Sequence, residues 1–178
     1  MQLQANSFQR DLSVVDILKL YSGLYGVDAS PSGIAAILAD FQLTAVADRR
    51  TGQLSGGQRQ SVSLAIATLH EPPVVLLDEP TTGLDPQSRR KLWKRIAAMR
   101  DQGCGIVLTT HSMEEAHATC DRIAIIDHGE IIVIGTPQGL IDRYQDDPAI
   151  RAISRNDMIT LEDVFIGLTG EESEHEND

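Results

Sequence analysis

Two adjacent carboxylates end the apolar run in "VVLLDEP", Val74 to Pro80. A short apolar run broken by a turn reads as a buried strand. Successive strand residues point to opposite sides, so Asp78 and Glu79 can do different work. Ligands bind at the carboxyl edge of parallel sheets. There one acid can hold Mg²⁺, usually through water, and the other can accept a proton from an attacking water. Taken alone, the pair is as compatible with an ordinary acidic turn, because short motifs recur by chance.

"LSGGQ", Leu54 to Gln58, offers a second kind of chemistry. Gly56 and Gly57 let backbone approach an anion, and a following helix brings unpaired amides and the positive end of its dipole. Ser55 adds a hydroxyl, and Gln58 lies on the first turn. A bare serine–glycine–glycine is more often a capped turn, so the weight rests on spacing. The acid pair follows about one helix and one strand later, then Asp85 in "TTGLDP", then His111 after the next apolar run. A lone histidine at a strand end is usually structural. At the sheet edge expected for Asp78 and Glu79, a γ-phosphate contact becomes a competing reading.

Elements that would position these residues are legible in the same way. Val14, Ile17, Leu18, Tyr21, Leu24 and Tyr25 recur at helical spacing, with Ser13 and Asp16 as a capping box and Gly26 as the stop. "SPSGIAAILADF" predicts a second helix capped by Ser30, with Pro31 in its first turn. The run after Gly57 predicts an amphipathic helix. Beyond "PVVLL", a helix is predicted from Pro86 to Arg100, then a strand in "GIVLTT" and a helix capped by Ser112 with Glu115 as its box. "RIAIID", "HG" and "EIIVIG" predict a hairpin; "TPQGLIDRY" and "TLEDVFIGL" predict two more helices, the latter with Thr160 and Asp163 as its box. Apolar strands alternating with helices imply a parallel sheet covered on both faces.

The totals bound the partners. The chain has 178 residues, 42% of them apolar, and a net charge of −11. That size suits one domain with a small subdomain. The charge argues against nucleic acid as a partner, because phosphate backbones need a basic face. The ending "EESEHEND" reads as a solvated acidic tail. Cys104 and Cys120 have no CxxC spacing, which suits a reduced cytosolic protein. No run approaches the ~18 apolar residues of a membrane span, so any work at a membrane goes through a partner.

In this order the motifs resemble the nucleotide-binding domain of ATP-binding cassette (ABC) transporters, over nearly the whole chain from Gln4 to Gly170. "LSGGQRQ" resembles the ABC signature, "VVLLDEP" the Walker B strand, "GLDP" the D-loop and "TTHSMEEA" the switch-histidine region. Gln4 stands where the Q-loop glutamine is expected. "ITLEDVFIGLTG" is similar to the carboxy-terminal extension of export ATPases that pair with ABC-2-type permeases, drug exporters among them. The resemblance implies a P-loop NTPase-like α/β fold, with a mostly parallel sheet flanked by helices and an α-helical subdomain. It implies a Q-loop region at 1–11, that subdomain at 12–50, the ATPase core at 51–145 and an extension with the acidic tail at 146–178.

The resemblance also assigns roles. Asp78 would hold Mg²⁺, Glu79 would be the general base, and His111 would contact the γ-phosphate of ATP. Gln4 would sense metal and water and touch the permease. Asp85 would lie at a dimer seam. Ser55, Gly56, Gly57 and Gln58 would complete the ATP site of a second, identical or different, ATP-binding subunit. The implied location is the cytoplasmic face of the membrane. Many family members carry arginine where this chain has Ile66, which reads as variation within the export group.

Lys19, Lys91 and Lys94 follow Leu18, Arg90 and Trp93, so the 178 residues contain no GK dipeptide and hence no GxxxxGK[ST] phosphate loop. The family's first strands and Walker A helix are therefore expected to be missing, and the chain is expected to be inactive alone. Strands without their neighbours would expose apolar edges. Two competing readings are a catalytically dead subunit that lends its signature to another chain, and a non-transport ABC ATPase. The latter would show duplicated cassettes, zinc cysteines or a coiled-coil insertion, none of which occurs in these residues.

Overall fold

The computed structural model describes residues 11–154 and 158–170. Gln4 lies outside the described residues. The chain divides into two compact units between Thr109 and Thr110.

In the first unit, α1 (Val14–Tyr25) begins at a complete capping box. Ser13 Oγ accepts the Asp16 amide at 3.1 Å, and Gly26 closes the helix in the left-handed conformation at φ 68°. Next, α2 (Pro31–Asp40) is capped by Ser30. Both helices, with Leu43, Val46 and Leu54, bury their apolar faces against Val62, Ala65 and Ile66 of α3 (Gly56–Thr68). The two ends of this helical stretch are pinned together: the Thr51 amide donates to the Leu12 carbonyl at 3.0 Å, and Ser13 and Arg50 form a β-bridge.

The third helix is not amphipathic. Val62 to Ile66 are buried at five consecutive positions, because Leu64 faces a second core while Val62, Ala65 and Ile66 face the first. Ile66 is 2% exposed, a core position here. That second core packs α3 and α4 (Pro86–Asp101) onto a parallel pair, β1 (Val74–Asp78) and β2 (Gly105–Thr109).

Among the described residues of the first unit, helices cover one face of this pair rather than two. Val75 and Leu77 are buried, whereas Val74, Leu76 and Val107 on the opposite face are 53%, 51% and 57% exposed. The cause is local: among the described residues, α3 and α4 both supply the same core, on the Val75–Leu77 side. Between α2 and α4, Arg95 stacks 4.2 Å from the Phe41 ring centroid and pairs with Asp40 through its two terminal guanidinium nitrogens.

The second unit contains α5 (Met113–Thr119), an antiparallel hairpin of β3 (Ile123–Asp127) and β4 (Glu130–Gly135), then α6 (Pro137–Tyr144), α7 (Pro148–Ile153) and α8 (Leu161–Thr169). His128 and Gly129 both have positive φ, 48° and 82°, as a two-residue turn with the strand twist demands. The register slips between Ile125 and Ile126, leaving Ile132 as the extra residue of a bulge. Its core joins Ala116, Ile125, Val133, Leu140, Leu161 and Val164. The seventh helix is absent from the sequence expectation, although Asp147 caps it and Pro148 opens it. No helix among the described residues is long and apolar enough to cross a membrane.

Candidate functional site

Asp78 is the last residue of β1, in register with Thr109, the last residue of β2. Both are exposed, on the sheet face that α3 and α4 leave open. The Thr109 hydroxyl donates to Asp78 Oδ1 at 2.6 Å, the short distance of a charge-assisted bond. Glu79 continues past the strand. Its amide donates to the Thr109 hydroxyl at 3.0 Å and to the Thr109 carbonyl at 3.2 Å.

Glu79 sits at φ 45°, in the left-handed region that non-glycine residues rarely enter. Such conformations cost on the order of 1–3 kcal/mol and persist where surrounding structure fixes them. Here the fixing bonds are those to Thr109, together with Thr82, whose hydroxyl donates to Glu79 Oε2 at 3.1 Å. The expected divergence of the two acids is therefore produced partly by a backbone twist and not by strand alternation alone. Sequence reasoning missed Thr109 and Thr82; a hydroxyl at the end of the neighbouring strand was the available signal.

Ser55 caps α3. Its hydroxyl accepts the Gln58 amide at 3.3 Å, and Gln58 Oε1 accepts the Ser55 amide at 3.0 Å. The two glycines serve different ends. A Cβ on Gly57 would lie 2.4 Å from Ser88 Oγ and 2.7 Å from Ser88 Cβ, so α3 and α4 approach this closely only with glycine there. A Cβ on Gly56 would meet nothing closer than 3.7 Å, the Gly83 carbonyl. Neither glycine has positive φ. Packing thus accounts for Gly57 and leaves Gly56 without a structural need to be glycine.

Asp85 is linked to that first turn through Ser88. Its carboxylate caps α4, accepting the Gln87 and Ser88 amides at 3.0 Å each and the Ser88 hydroxyl at 2.6 Å. The Ser88 hydroxyl, then the Ser88 amide, hold its carboxyl below the usual carboxylate range. The "LSGGQ" and "GLDP" segments are therefore joined through Ser88, a residue that sequence reasoning did not single out. His111 is exposed, two residues beyond β2 and just before Ser112, the cap of α5; it belongs to the second unit.

No group of three or more metal-ligating side chains exists among the described residues. The donors present still suit Mg²⁺, which takes hard oxygen ligands and is commonly bound by one or two carboxylates plus substrate phosphates.

Residues 1–82 match the family model described as ABC transporter. The Nod factor export ATP-binding protein I of Burkholderia orbicola (strain AU 1054) is 35% identical, over 91% of this chain and 59% of that protein. Its counterpart in Mesorhizobium japonicum (strain LMG 29417 / CECT 9101 / MAFF 303099) is 36% identical, over 79% of this chain and 42% of its own length. The chain thus spans about half the length of the curated relatives it matches. A solved ATP-binding subunit of an ABC transporter matches with a TM-score of 0.74 and 25% identity, over 94% of this chain and 66% of that one. An ATP-binding cassette of an ABC transporter in its ADP conformation shares the fold, with a TM-score of 0.64 and 20% identity over 78% of this chain and 61% of that one. Motif order, the family match and a fold of the P-loop NTPase kind agree in supporting an ABC transporter nucleotide-binding domain.

Proposed function

We propose that the chain is part of the ATP-hydrolysing subunit of an ABC exporter. The observation that carries this reading is the paired acids at the end of β1, in a chain aligned over 91% of its length with an export ATP-binding protein. Residues 1–11 act as the Q-loop region, with Gln4 touching metal, water and permease. Residues 12–50 are the helical subdomain, a division supported by the closure of Leu12 on Thr51. Residues 51–145 are the ATPase core, and 146–178 the extension and tail.

Asp78 holds Mg²⁺, which when bound neutralises phosphate charge and orients the phosphoryl group. Glu79 accepts the proton of the attacking water; Thr82 and Thr109 fix its carboxylate and backbone for that task. His111 contacts the γ-phosphate. Ser55, Gly56, Gly57 and Gln58 face the nucleotide of a second ATP-binding subunit, and Gly56 is the point of closest backbone approach. Asp85 holds the seam beside them by fixing the first turn of α4. ABC-2-type permease subunits take up the resulting motion, which puts the protein on the cytoplasmic face of the membrane.

With no phosphate loop of its own, the 178-residue chain neither holds ATP tightly nor turns it over. ATP binding and phosphate release by the purified chain test this, and micromolar binding with turnover abolished by Glu79→Gln overturns the inactivity. The export reading is tested in the genome. An in-frame GxxxxGK[ST] upstream of Met1 and a neighbouring permease gene are expected, and finding neither sinks it.

A further inference from the structure

Thr109 uses one hydroxyl twice. Its proton goes to Asp78 Oδ1 at 2.6 Å, while its oxygen accepts the Glu79 amide at 3.0 Å. Its carbonyl takes the same amide at 3.2 Å, which extends the parallel ladder one residue beyond the strands. A single side chain therefore sets the direction of one acid's carboxylate and helps to hold the twisted backbone of the other, at φ 45°. Packing does not call for threonine here. The residue is exposed at the end of β2, on the face that no helix of this unit covers. A hydrogen-bonding role is what remains.

We propose that Thr109 is a positioning residue for metal binding: it presents the Asp78 carboxylate to the divalent cation and keeps Glu79 turned away from it. This rests on the reading of Asp78 as the metal-holding acid. A ligating carboxylate is commonly steered by a hydrogen-bond donor behind it, and loss of such a partner typically costs about 10–100-fold in metal affinity. The bond leaves Thr109 no second proton, so the hydroxyl points one way only. Valine copies the shape and suits a strand but has no donor. Serine keeps the donor.

The test uses Mn²⁺ and the full chain with ¹³C-carboxyl-labelled aspartate. Mn²⁺ broadens the signals of carboxylates it binds, and Asp78→Asn identifies the Asp78 signal. Asp48, exposed and remote from any acid pair in sequence, is the reference. Asp78 is expected to broaden at lower Mn²⁺ than Asp48. Thr109→Val should raise the Mn²⁺ concentration needed at Asp78 by about tenfold, with Asp48 unchanged, and Thr109→Ser should restore it. Preferential broadening of Asp78 that is the same in Thr109→Val overturns the role of Thr109 and leaves the metal reading intact. Broadening of Asp78 no sooner than Asp48 overturns the metal reading and the inference with it. If Thr109→Val does not fold, Thr109→Ala removes the same hydroxyl with less bulk, and the comparison is made with Thr109→Ser.

Discussion

Alanine at the two neighbouring glycines of the signature should act in opposite directions. On Gly57 a Cβ would stand 2.7 Å from Ser88 Cβ and 2.4 Å from Ser88 Oγ. The hydroxyl can rotate away only by leaving the Asp85 carboxylate it now bonds. The Ser88 Cβ cannot rotate, so the first turns of α3 and α4 must separate. Overpacking of this kind costs about 1–3 kcal/mol, against a helix-propensity gain of at most about 1 kcal/mol for alanine over glycine. With that gain subtracted in full from the middle of the overpacking range, the net loss for Gly57→Ala is about 1 kcal/mol. At 2–4 °C per kcal/mol in a chain this size, the melting temperature falls by about 2–4 °C. On Gly56 the nearest contacts would be 3.7 and 3.8 Å, ordinary separations, so Gly56→Ala should be neutral or gain up to about 1 kcal/mol. Urea midpoints of both variants, followed by circular dichroism, measure the gap. Adding Ser88→Ala to Gly57→Ala removes the 2.4 Å clash and leaves the one at 2.7 Å, so it should recover part of the loss. Gly57→Ala as stable as the parent, or Gly56→Ala less stable than Gly57→Ala, would refute the assignment of Gly57 to packing.

Glu79 sits at φ 45°, so Glu79→Gly should be more stable than Glu79→Ala by about 1 kcal/mol, although both lose the carboxylate; equal urea midpoints would remove the strain from the account. The Asp85 carboxyl is held below its ordinary 3.8 by Ser88, so its folded-state pKa lies below its unfolded one. Its contribution is therefore complete above the unfolded value and is lost as pH falls through the folded one. Carbon NMR titration should show the Asp85 pKa rising in Ser88→Ala, and an unchanged titration would contradict the capping geometry.

Helix starts were the most legible part of the sequence. Ser13 with Asp16, Ser30 ahead of Pro31 and Thr160 with Asp163 each announce a helix, and each serine or threonine hydroxyl accepts its capping bond, from the Asp16, Gly33 and Asp163 amides. The hairpin was legible for the same reason, through His128 and Gly129. What the sequence hid is relational. Five consecutive buried residues in α3 mean two cores, which periodicity within one helix does not reveal. The exposed side of β1 and β2 depends on which face the helices choose, and an apolar run such as "VVLL" reads the same covered or bare. At the site, the motif residues could be named from order and spacing. Of the residues that hold them, Thr109 left only the faint signal of a hydroxyl at a strand end, and the contact of Ser88 with Gly57 left none, because these partners are set by strand register and by how close two helix ends come. Ser88 is only three residues from Asp85, yet its contact with Gly57 spans 31 positions of chain.

The hydrogen bond from Thr51 to Leu12 has a consequence for how this protein can change over generations. The chain at Leu12 is brought back beside itself at Thr51, so everything between is an excursion with fixed feet. Extra residues in its exposed connection beside Ala29 add mainly loop-closure entropy, about 0.6 kcal/mol for each doubling of length. They do not alter the spacing from Ser55 to Asp78 or from Asp78 to Thr109. The outward surface of α1 and α2 is therefore free to be reshaped for different neighbours, while the machinery downstream keeps its measurements.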